Sequence, residues 1–245
     1  MPQALRSIVL MVAILLSACA NAPDSPSPAD TGDPWESMNR RIYNNNYFFD
    51  RLLVRPLAEL YRATIPPPVR GRIADITANM KEPVIFFNDV LQGDFTKAGI
   101  TIERFGVNTT LGIGGMFDIA SDWDLPKQTG DFGQTLYTWG VGEGPYMMLP
   151  AFGPSNLRDA IGTGVDLALS PWQYIVFFDG GINAGAQFEA TSFGTNMIVW
   201  REQHIESIDA LRADSLDPYV KLRSAWRQYR RHQLGEPPAG DDPNK

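Results

Sequence analysis

Apolar residues recur at the spacing of an α-helix over much of the chain. Between residues 69 and 91 they fall on one helical face, which Pro83 breaks or kinks: Ile73, Ile76, Met80, Val84, Phe87 and Leu91. Similar spacing predicts helices over residues 94–110, 155–169 and 182–213. Because strand alternation persists nowhere for long, the pattern predicts a mainly α protein with a single domain.

Several predicted helices begin at residues that typically cap a helix N-terminus. Asp33 precedes Pro34 and is expected to cap a first helix, and Asp217-Pro218 is expected to start a last helix that ends near Leu234-Gly235. Two further predicted caps are Asp94 and either Ser155 or Asn156. Capping residues thus predict where several helices of the domain begin.

The first helix contains a run of residues with poor helix propensity. The sequence Asn44-Asn45-Asn46 is expected to weaken or break the helix. A second, short helix is predicted from Pro56 to Tyr61, ending before the prolines at 66–68. The sequence therefore predicts two separate helices in this region.

The last helix has an aromatic face beside a basic one. The first face carries Tyr219, Leu222, Trp226, Tyr229 and Gln233, and the second carries Arg223, Arg227, Arg230 and Arg231. A helix of this kind can lie at a membrane surface or contact phosphates. The interpretation favoured from the sequence is a helix packed on the core with a solvated basic face.

Residues 131–159 combine glycine and proline with apolar side chains. Glycine opens backbone conformations closed to other residues and proline fixes φ, so this stretch is not expected to form a regular helix. Yet it includes Trp139, Tyr146, Met148 and Phe152, which are too apolar for a solvated loop. We therefore predict a defined, irregular backbone path against apolar surface.

Composition limits the classes of function. The formal net charge of −7 argues against general nucleic-acid binding. The lone cysteine, Cys19, excludes an intramolecular disulfide and a cysteine-rich metal site, and two histidines, His204 and His232, make a histidine-rich metal site implausible. The sequence predicts no cofactor.

Catalytic and nucleotide-binding motifs are weak. The glycine-rich stretch 108–120 lacks the Gly-Lys-Ser/Thr of a phosphate-binding loop, and Ser155 lacks a Gly-x-Ser-x-Gly context. Acidic residues in turns are expected to cap helices or lie in solvent rather than to catalyse reactions: Asp118, Asp122, Asp124, Asp131 and Glu143. Glu202, His204 and Glu206 are interpreted as an exposed helix face. The chain is therefore not expected to be an enzyme.

The N-terminus resembles that of a bacterial lipoprotein. Residues 1–18 follow a signal-peptide plan, and Leu16-Ser17-Ala18-Cys19 resembles a lipobox, which implies cleavage before Cys19 and its acylation. Residues 19–32 then form an acylated N-terminus with a proline-rich flexible tether. We predict a helical domain over 33–235 and a disordered tail over 236–245, with no later stretch long enough to span a bilayer as one helix.

Several motifs together resemble the MlaA (VacJ) lipoproteins over nearly the whole mature chain. They are the lipobox, Asp33-Pro34-x-Glu36-x-x-Asn39-Arg40, Asn108-Thr-x-Leu-Gly-x-Gly-Gly-x-x-Asp118, the stretch closing on Gly153-Pro-Ser-x-Leu-Arg-Asp159, and Asp217-Pro-Tyr-Val220. Two residues depart from the family pattern. Tyr137 stands where glycine is expected, and Asn45 stands where an aromatic residue is usual.

The resemblance implies a single ring-like helical domain, with glycine- and proline-rich loops, embedded in the inner leaflet of the outer membrane. A protein of this family surrounds an amphipathic channel and associates with trimeric porins. It removes mislocalised phospholipids from the outer leaflet and passes them to a periplasmic lipid-carrier protein, without chemistry on the lipid. This retrograde transport maintains the lipid asymmetry of the outer membrane.

Two segments are predicted to line or control the lipid path. We expect Gly112–Phe117 to be a mobile loop at the channel and Tyr146–Phe152 to contribute to its wall or rim. The candidate residues are Gly112, Gly114, Gly115, Met116, Phe117, Tyr146, Met147, Met148 and Phe152. For each of them a glycine-kinked loop packed on a core is an equally good interpretation.

A different class of function also fits the sequence, namely a non-transporting lipoprotein that braces porins or the cell envelope.

Overall fold

The computed structural model describes residues 33–236, apart from the side chains at 173 and 175–183. The predicted signal peptide, Cys19 with its tether, and the tail beyond residue 236 lie outside the described residues. Helices form most of the described part, in the order α1 Glu36–Phe49, a π-helical turn Asp50–Val54, α2 Arg55–Thr64, α3 Pro67–Asn79, α4 Glu82–Leu91, α5 Phe95–Thr110, α6 Ile119–Asp122, α7 Phe132–Thr138, α8 Leu157–Leu169, α9 Pro171–Gln203, α10 Ile205–Ala213 and α11 Pro218–Gln233. The prediction of a mainly α protein is confirmed.

One β-hairpin interrupts the helices. Strand β1, Tyr146–Leu149, pairs antiparallel with strand β2, Gly153–Asn156, in the register Tyr146↔Asn156 and Leu149↔Gly153. The turn places Ala151 at φ 64° and Gly153 at φ 84°. Residues 131–159 are therefore less irregular than predicted, since they contain helix α7 and this hairpin. The hairpin is too short to show a persistent alternation in the sequence.

Helices α1 and α2 form one continuous rod. The prediction of a break at Asn44–Asn46 is wrong, because α1 runs through these residues and the π-helical turn joins it to α2. The predicted helix Pro56–Tyr61 lies inside α2. The prediction that the Asp33 side chain caps α1 is also wrong, since Trp35 is the residue before the helix and makes no side-chain cap.

Most of the other predicted boundaries are confirmed. The helical run breaks between α3 and α4 beside Pro83. The side chains of Asp94, Asn156 and Asp217 accept hydrogen bonds from backbone N–H groups in the first turns of α5, α8 and α11. The predicted helix over 182–213 begins earlier, at Pro171, and is interrupted at His204.

Four helix pairs place the remaining elements. Helix α4 packs on α5, α7 packs on α8, and α9 packs on α2 and α3. The close approach of α7 and α8 depends on Gly162, since a Cβ there would lie 2.4 Å from the backbone nitrogen of Gly133. The hairpin lies between α1 and α11, which brings the two ends of the domain together.

Candidate functional site

Two asparagines of α1 hold the outer edge of the hairpin. Asn39 donates from Nδ2 to the carbonyl of Tyr146 (3.1 Å) and accepts from the backbone N–H of Met148 (2.8 Å). Seven residues later, Asn46 donates to the carbonyl of Leu149 (2.9 Å) and accepts from the N–H of Ala151 (3.0 Å). Because seven residues are about two helical turns, both amides lie on one face of α1. They replace the hydrogen bonds that a further strand would make.

The hairpin sends alternate side chains inward. Tyr146 and Met148 are buried and pack with Tyr219, whose ring centroid lies 6.3 Å from that of Tyr146. The neighbouring apolar residues of this cluster are Ile42, Tyr43, Val220, Leu222 and Trp226. These contacts are with protein, so the packing favours a structural role for Tyr146 and Met148, and lipid contact by these two residues stays a prediction.

The other two candidates of the hairpin are more accessible. Met147 is half-buried, and Phe152 at the turn is exposed. The ring of Phe152 lies 4.9 Å, centroid to centroid, from that of Phe193 on α9. A pair of aromatic rings therefore lies at the tip of the hairpin. A contribution of Phe152 to the wall or rim of the channel stays a prediction.

The glycine loop Gly112–Phe117 forms a tightly wound turn after α5. Gly114 donates to the carbonyl of Thr109 (2.9 Å), Gly115 donates to that of Asn108 (2.8 Å), and Phe117 donates to that of Gly112 (2.9 Å). Gly114 and Gly115 have φ values of 70° and 87°, which side chains rarely tolerate. This describes one well-bonded conformation, and mobility of the loop stays a prediction.

The two apolar side chains of this loop differ in their surroundings. Met116 is exposed. Phe117 is half-buried, with the guanidinium of Arg72 lying 4.4 Å above its ring. A cation over an aromatic face attaches this end of the loop to α3. Met116 is therefore the candidate of the loop that is free to meet an apolar ligand.

A buried arginine forms an ion pair with Asp118, the residue that follows the glycine loop. Arg104 is the largest fully buried side chain of the described residues and is paired with Glu82 (3.2 Å) and Asp118 (2.9 Å). Burial raises the pKa of Asp118, but hydrogen bonds from Ser121, Lys127 and Asn108 and the charge of Arg104 outweigh it and hold that pKa well below its usual range. Asp118 is thus a helix cap and an ion-pair partner, which supports the structural interpretation of this acid.

The last helix buries two of its arginines. Arg223 donates to Asp33 (2.7 Å), which also accepts from the hydroxyl of Tyr219. Arg230 forms a two-pronged pair with Asp131 (2.7 Å) and contacts Asp159 (2.8 Å). The prediction of a solvated basic face is therefore wrong for Arg223 and Arg230. The spacing i, i+4, i+7 and i+11 of Tyr219, Arg223, Trp226 and Arg230 was a signal that these arginines share the packed face.

Another expected solvent face is also buried in part. Glu202 is 7% exposed and accepts from Arg62 (2.9 Å) and from Arg70. The interpretation of Glu202 as an exposed residue is wrong, because two arginines neutralise it at the junction of α2, α3 and α9. Among residues 33–236 there is no group of three or more histidine, cysteine or acidic residues placed to hold a metal.

The rod formed by α1, the π-helical turn and α2 carries a continuous apolar surface. Its members, here called the apolar surface, are Phe48, Phe49, Leu52, Leu53, Leu57 and Leu60, all of them exposed, with Leu52 at 63%. Exposed apolar patches of this kind mark contacts with membranes or other proteins. No helix within residues 33–236 is both long and apolar enough to cross a membrane.

Charged and apolar side chains are therefore distributed in the reverse of the usual way. In a water-soluble domain the largest buried side chains are mostly apolar and charges stay outside. Here arginines with their acidic partners occupy the interior, and large apolar residues lie on the surface. Sequence reasoning missed both the exposed apolar surface of α1 and α2 and the buried ion pairs. Their acidic partners are distant in sequence, as Asp33 is from Arg223.

Comparisons with known proteins agree on one family. The family model described as MlaA lipoprotein matches residues 31–233. A Haemophilus influenzae protein named intermembrane phospholipid transport system lipoprotein MlaA is 32% identical over 225 residues, covering 89% of this chain and 86% of that protein. The Escherichia coli protein of the same name is 32% identical over 248 residues, covering 98% of this chain and 93% of the relative.

A solved structure supports the same assignment. It comes from work on the structural basis for maintenance of bacterial outer membrane lipid asymmetry, and it matches with a TM-score of 0.70 and 34% sequence identity. The match covers 82% of this chain and 98% of the solved chain. Together with the family model, these similarities show that the chain belongs to the MlaA lipoprotein family.

Proposed function

We propose that this chain is the outer-membrane lipoprotein of an intermembrane phospholipid transport system. In this role it withdraws mislocalised phospholipids from the outer leaflet and passes them to a periplasmic carrier. The names of the Haemophilus influenzae and Escherichia coli relatives support phospholipid transport. The observation that carries the proposal is the reversed distribution of side chains, with large apolar residues outside and ion pairs inside.

The apolar surface supports embedding of the domain in a lipid leaflet. Moving one leucine or phenylalanine side chain from water into an apolar environment stabilises by roughly 1.5–3 kcal/mol. On contact with acyl chains, each of the exposed side chains Phe48, Phe49 and Leu52 would therefore contribute a stabilising free energy of this size. A domain without a spanning helix can lie in one leaflet in this manner, as an interfacial structure does. We assign that leaflet to the inner face of the outer membrane.

The polar interior supports a path for head groups. A phospholipid that leaves a bilayer needs apolar contacts for its tails and polar ones for its head group. The buried arginines, Arg104, Arg223 and Arg230, form ion pairs with acidic side chains inside the domain and fix the helices around them. We propose that the helices form a ring around an amphipathic channel. Met116 and Phe152 are the exposed candidates for lipid contact at the mouth of this channel.

The attachment and partners follow from the same role. We assign residues 1–18 to a signal peptide, Cys19 to the acylated N-terminus and residues 19–32 to a tether. More than one acyl chain is needed for a stable anchor, which a triacylated cysteine supplies. The partners that suit a lipid path open to both leaflets and to the periplasm are a trimeric porin and a soluble lipid carrier.

The chemistry of the described residues favours transport over catalysis. Asp118 and Asp131, two of the five acids considered for acid–base roles, are helix caps held in ion pairs with arginines. Lowered pKa values make such carboxylates poor proton acceptors near neutral pH. We therefore propose that the lipid passes through unchanged.

Deletion of the gene tests the proposal in living cells. We expect deletion to raise the amount of phospholipid at the cell surface, measured with an amine-reactive probe that does not cross the membrane, and to raise sensitivity to detergent. Re-expression of the chain should reverse both changes. An unchanged outer leaflet with altered porin or envelope stability would favour the bracing role instead. Release of fatty acid or lysophospholipid by the purified protein would favour a hydrolase.

A further inference from the structure

A cleft rich in arginine lies beside the π-helical turn. It has a volume of about 240 Å³ and is lined by Tyr47, Asp50, Arg51, Arg55, Arg201, Asp209 and Arg212. These residues come from the end of α1, the π-helical turn, α2, the end of α9 and α10. A π-helical turn is rare and often marks a functional site, and this one supplies Asp50 and Arg51 to the cleft.

The cleft holds more positive than negative charge. Its four arginines face two aspartates, and both aspartates are already engaged. Asp50 accepts from Arg201 at 2.7 and 3.1 Å, and Asp209 pairs with Arg55 at 2.9 Å. Arg55 also pairs with Glu59, which lies outside the lining. The lining itself therefore keeps an excess of two positive charges.

One nitrogen of a buried guanidinium at this cleft lacks a hydrogen-bond partner. The side chain of Arg201 is only 4% exposed, and its Nη1 atom has no partner within the described residues. Leaving a buried charged donor unsatisfied is costly, so an anion that entered the cleft and reached Nη1 would remove that cost.

Two further arginines are available at the entrance. Arg51 is exposed and makes no hydrogen bond or ion pair within residues 33–236. Arg212 stacks on the ring of Tyr47, which fixes its guanidinium beside the cleft. Planar guanidinium groups bind phosphate oxygens, like those of carboxylates, through paired hydrogen bonds.

The neighbouring residues specify what kind of phosphate fits. Leu52 and Leu53 directly follow Arg51 and belong to the exposed apolar surface. A ligand that reaches both groups must join an anionic head to an apolar tail. We propose that the arginine cleft binds the phosphate of a phospholipid head group while its acyl chains lie along the apolar surface. This inference rests on the proposed function, because it takes phospholipid as the cargo.

Binding of short-chain lipids tests the site directly. The purified full chain in a non-ionic detergent would be titrated calorimetrically with dihexanoyl-phosphatidylglycerol, with dihexanoylglycerol, which lacks the phosphate, and with inorganic phosphate. We expect the phosphatidylglycerol to bind best. We expect Arg51→Gln to weaken it about tenfold, which is the effect of losing roughly one charge-assisted hydrogen bond.

Two more variants make the test specific. Arg201→Lys keeps a charge beside Asp50 but cannot reproduce the Nη1 donor, and it should also weaken binding of the phosphorylated lipid. Arg41→Gln removes an exposed arginine of α1 outside the cleft and should leave the affinity unchanged. Circular dichroism would verify that each variant is folded. Equal affinity of wild type, Arg51→Gln and Arg201→Lys for phosphatidylglycerol would overturn the site.

The remaining outcomes separate the lipid from the anion and the site from the function. Binding of inorganic phosphate as tight as that of phosphatidylglycerol would overturn the role of the apolar surface and leave a simple phosphate site. If deletion cells show normal lipid asymmetry while Arg51→Gln still weakens lipid binding, the proposed function fails and the cleft stands. If asymmetry depends on the chain but not on Arg51 or Arg201, and their variants bind lipid normally, the cleft fails and the function stands.

Discussion

Asn39 uses both ends of its side-chain amide at a buried position. It bonds Tyr146 and Met148 of the hairpin and donates to Asp33 at 2.8 Å. A buried polar backbone group that loses its partner costs about 1–3 kcal/mol. Single asparagines such as this one therefore contribute as much to the fold as a buried aliphatic side chain does in a water-soluble domain.

Replacement of Asn39 by alanine tests this contribution. We expect Asn39→Ala to lower the free energy of unfolding by about 2–4 kcal/mol, since two hairpin groups lose their partner in a buried place. Asn45→Ala is the matched control, because the exposed Asn45 side chain makes no hydrogen bond in the described part of the chain, and it should change stability by less than about 0.5 kcal/mol. Denaturation of both variants in detergent gives the comparison. Equal stability of the two variants would refute a structural role for Asn39.

Arg104 offers a second test at the residue scale. Arg104→Ala leaves the buried carboxylate of Glu82 without its counter-charge, which typically costs about 3–5 kcal/mol. Lys97→Ala breaks only an exposed pair with Asp94 and should cost less than about 1 kcal/mol. Thermal unfolding followed by circular dichroism would rank the two variants. A loss for Arg104→Ala no larger than that for Lys97→Ala would contradict the importance of the buried pair.

At the scale of elements, local signals predicted helix boundaries and tertiary partners decided the exceptions. Asp94 and Asp217 cap their helices as their sequence neighbours indicate. Asn46 lies in a run with poor helix propensity, but its bonds to the hairpin are made only if α1 continues. Arg223 and Arg230 were expected in solvent because charged residues are rarely buried. Nothing in the local sequence reveals acidic partners that lie far away in the chain.

Two glycines of neighbouring elements should respond in opposite directions to alanine. A Cβ at Gly112 would lie 2.2 Å from the carbonyl oxygen of Phe117 and 2.4 Å from that of Asn108, so Gly112→Ala must distort the loop. A Cβ at Gly106 in α5 meets nothing within 4 Å, so Gly106→Ala should stabilise by about 0.5–1 kcal/mol.

The same two variants distinguish the effect of the loop conformation from that of helix stability on lipid asymmetry in cells. We expect Gly112→Ala to lower the melting temperature and to raise surface phospholipid in cells, while Gly106→Ala does neither. Melting curves of the purified variants and labelling of surface phospholipid provide the two measurements. A Gly112→Ala protein with wild-type stability would show that the tightly wound loop is not the conformation that matters.

At the scale of the whole molecule, buried carboxylates of two kinds set the response to pH. Burial raises the pKa of Glu82, Asp89 and Asp166. Burial also acts on Asp131, but the ion pair with Arg230 outweighs it, so that the pKa of Asp131 is lowered, as is that of Asp118. A group with a raised pKa favours the folded state as pH falls, whereas one with a lowered pKa stops stabilising once it is protonated.

The stability of the domain should therefore pass through a maximum in mildly acidic solution. We expect the melting temperature in detergent to rise as pH falls from neutral toward about 5. It should drop below about pH 4, the ordinary pKa of aspartate, because the unfolded chain then takes up protons on Asp118 and Asp131 while the folded protein keeps them ionised. Asp166→Asn should flatten the rise above pH 5, and Asp118→Asn should flatten the fall. Melting curves over pH 3–8 measure both, and a monotonic rise with pH in the wild type would contradict the raised pKa values.

The placement of the apolar surface determines how the whole domain meets a membrane. Phe49 and Leu53 lie one turn apart on the rod and are 59% and 55% exposed. Changing both to serine removes apolar contact worth roughly 1.5–3 kcal/mol for each side chain, so Phe49→Ser/Leu53→Ser should bind phosphatidylcholine vesicles at least tenfold more weakly. Phosphatidylcholine vesicles carry no net charge, which removes long-range attraction to an anionic surface. The Cys19→Ala background, made without the signal peptide, removes the contribution of the acyl chains.

Flotation of the protein with these vesicles measures the difference, with Asn45→Ser as the control for a change on the same helix outside the apolar surface. The control should float as the Cys19→Ala parent does, because its exposed amide contributes no apolar contact. If the double variant floats as well as the parent, lipid contact must lie on another face of the molecule. If it remains in the aqueous fraction and keeps its helical circular dichroism, the rod of α1 and α2 is the part of the domain that enters the leaflet. The arginine cleft beside the π-helical turn would then lie at the level of the lipid head groups, because the acyl chains lie along the rod that flanks it.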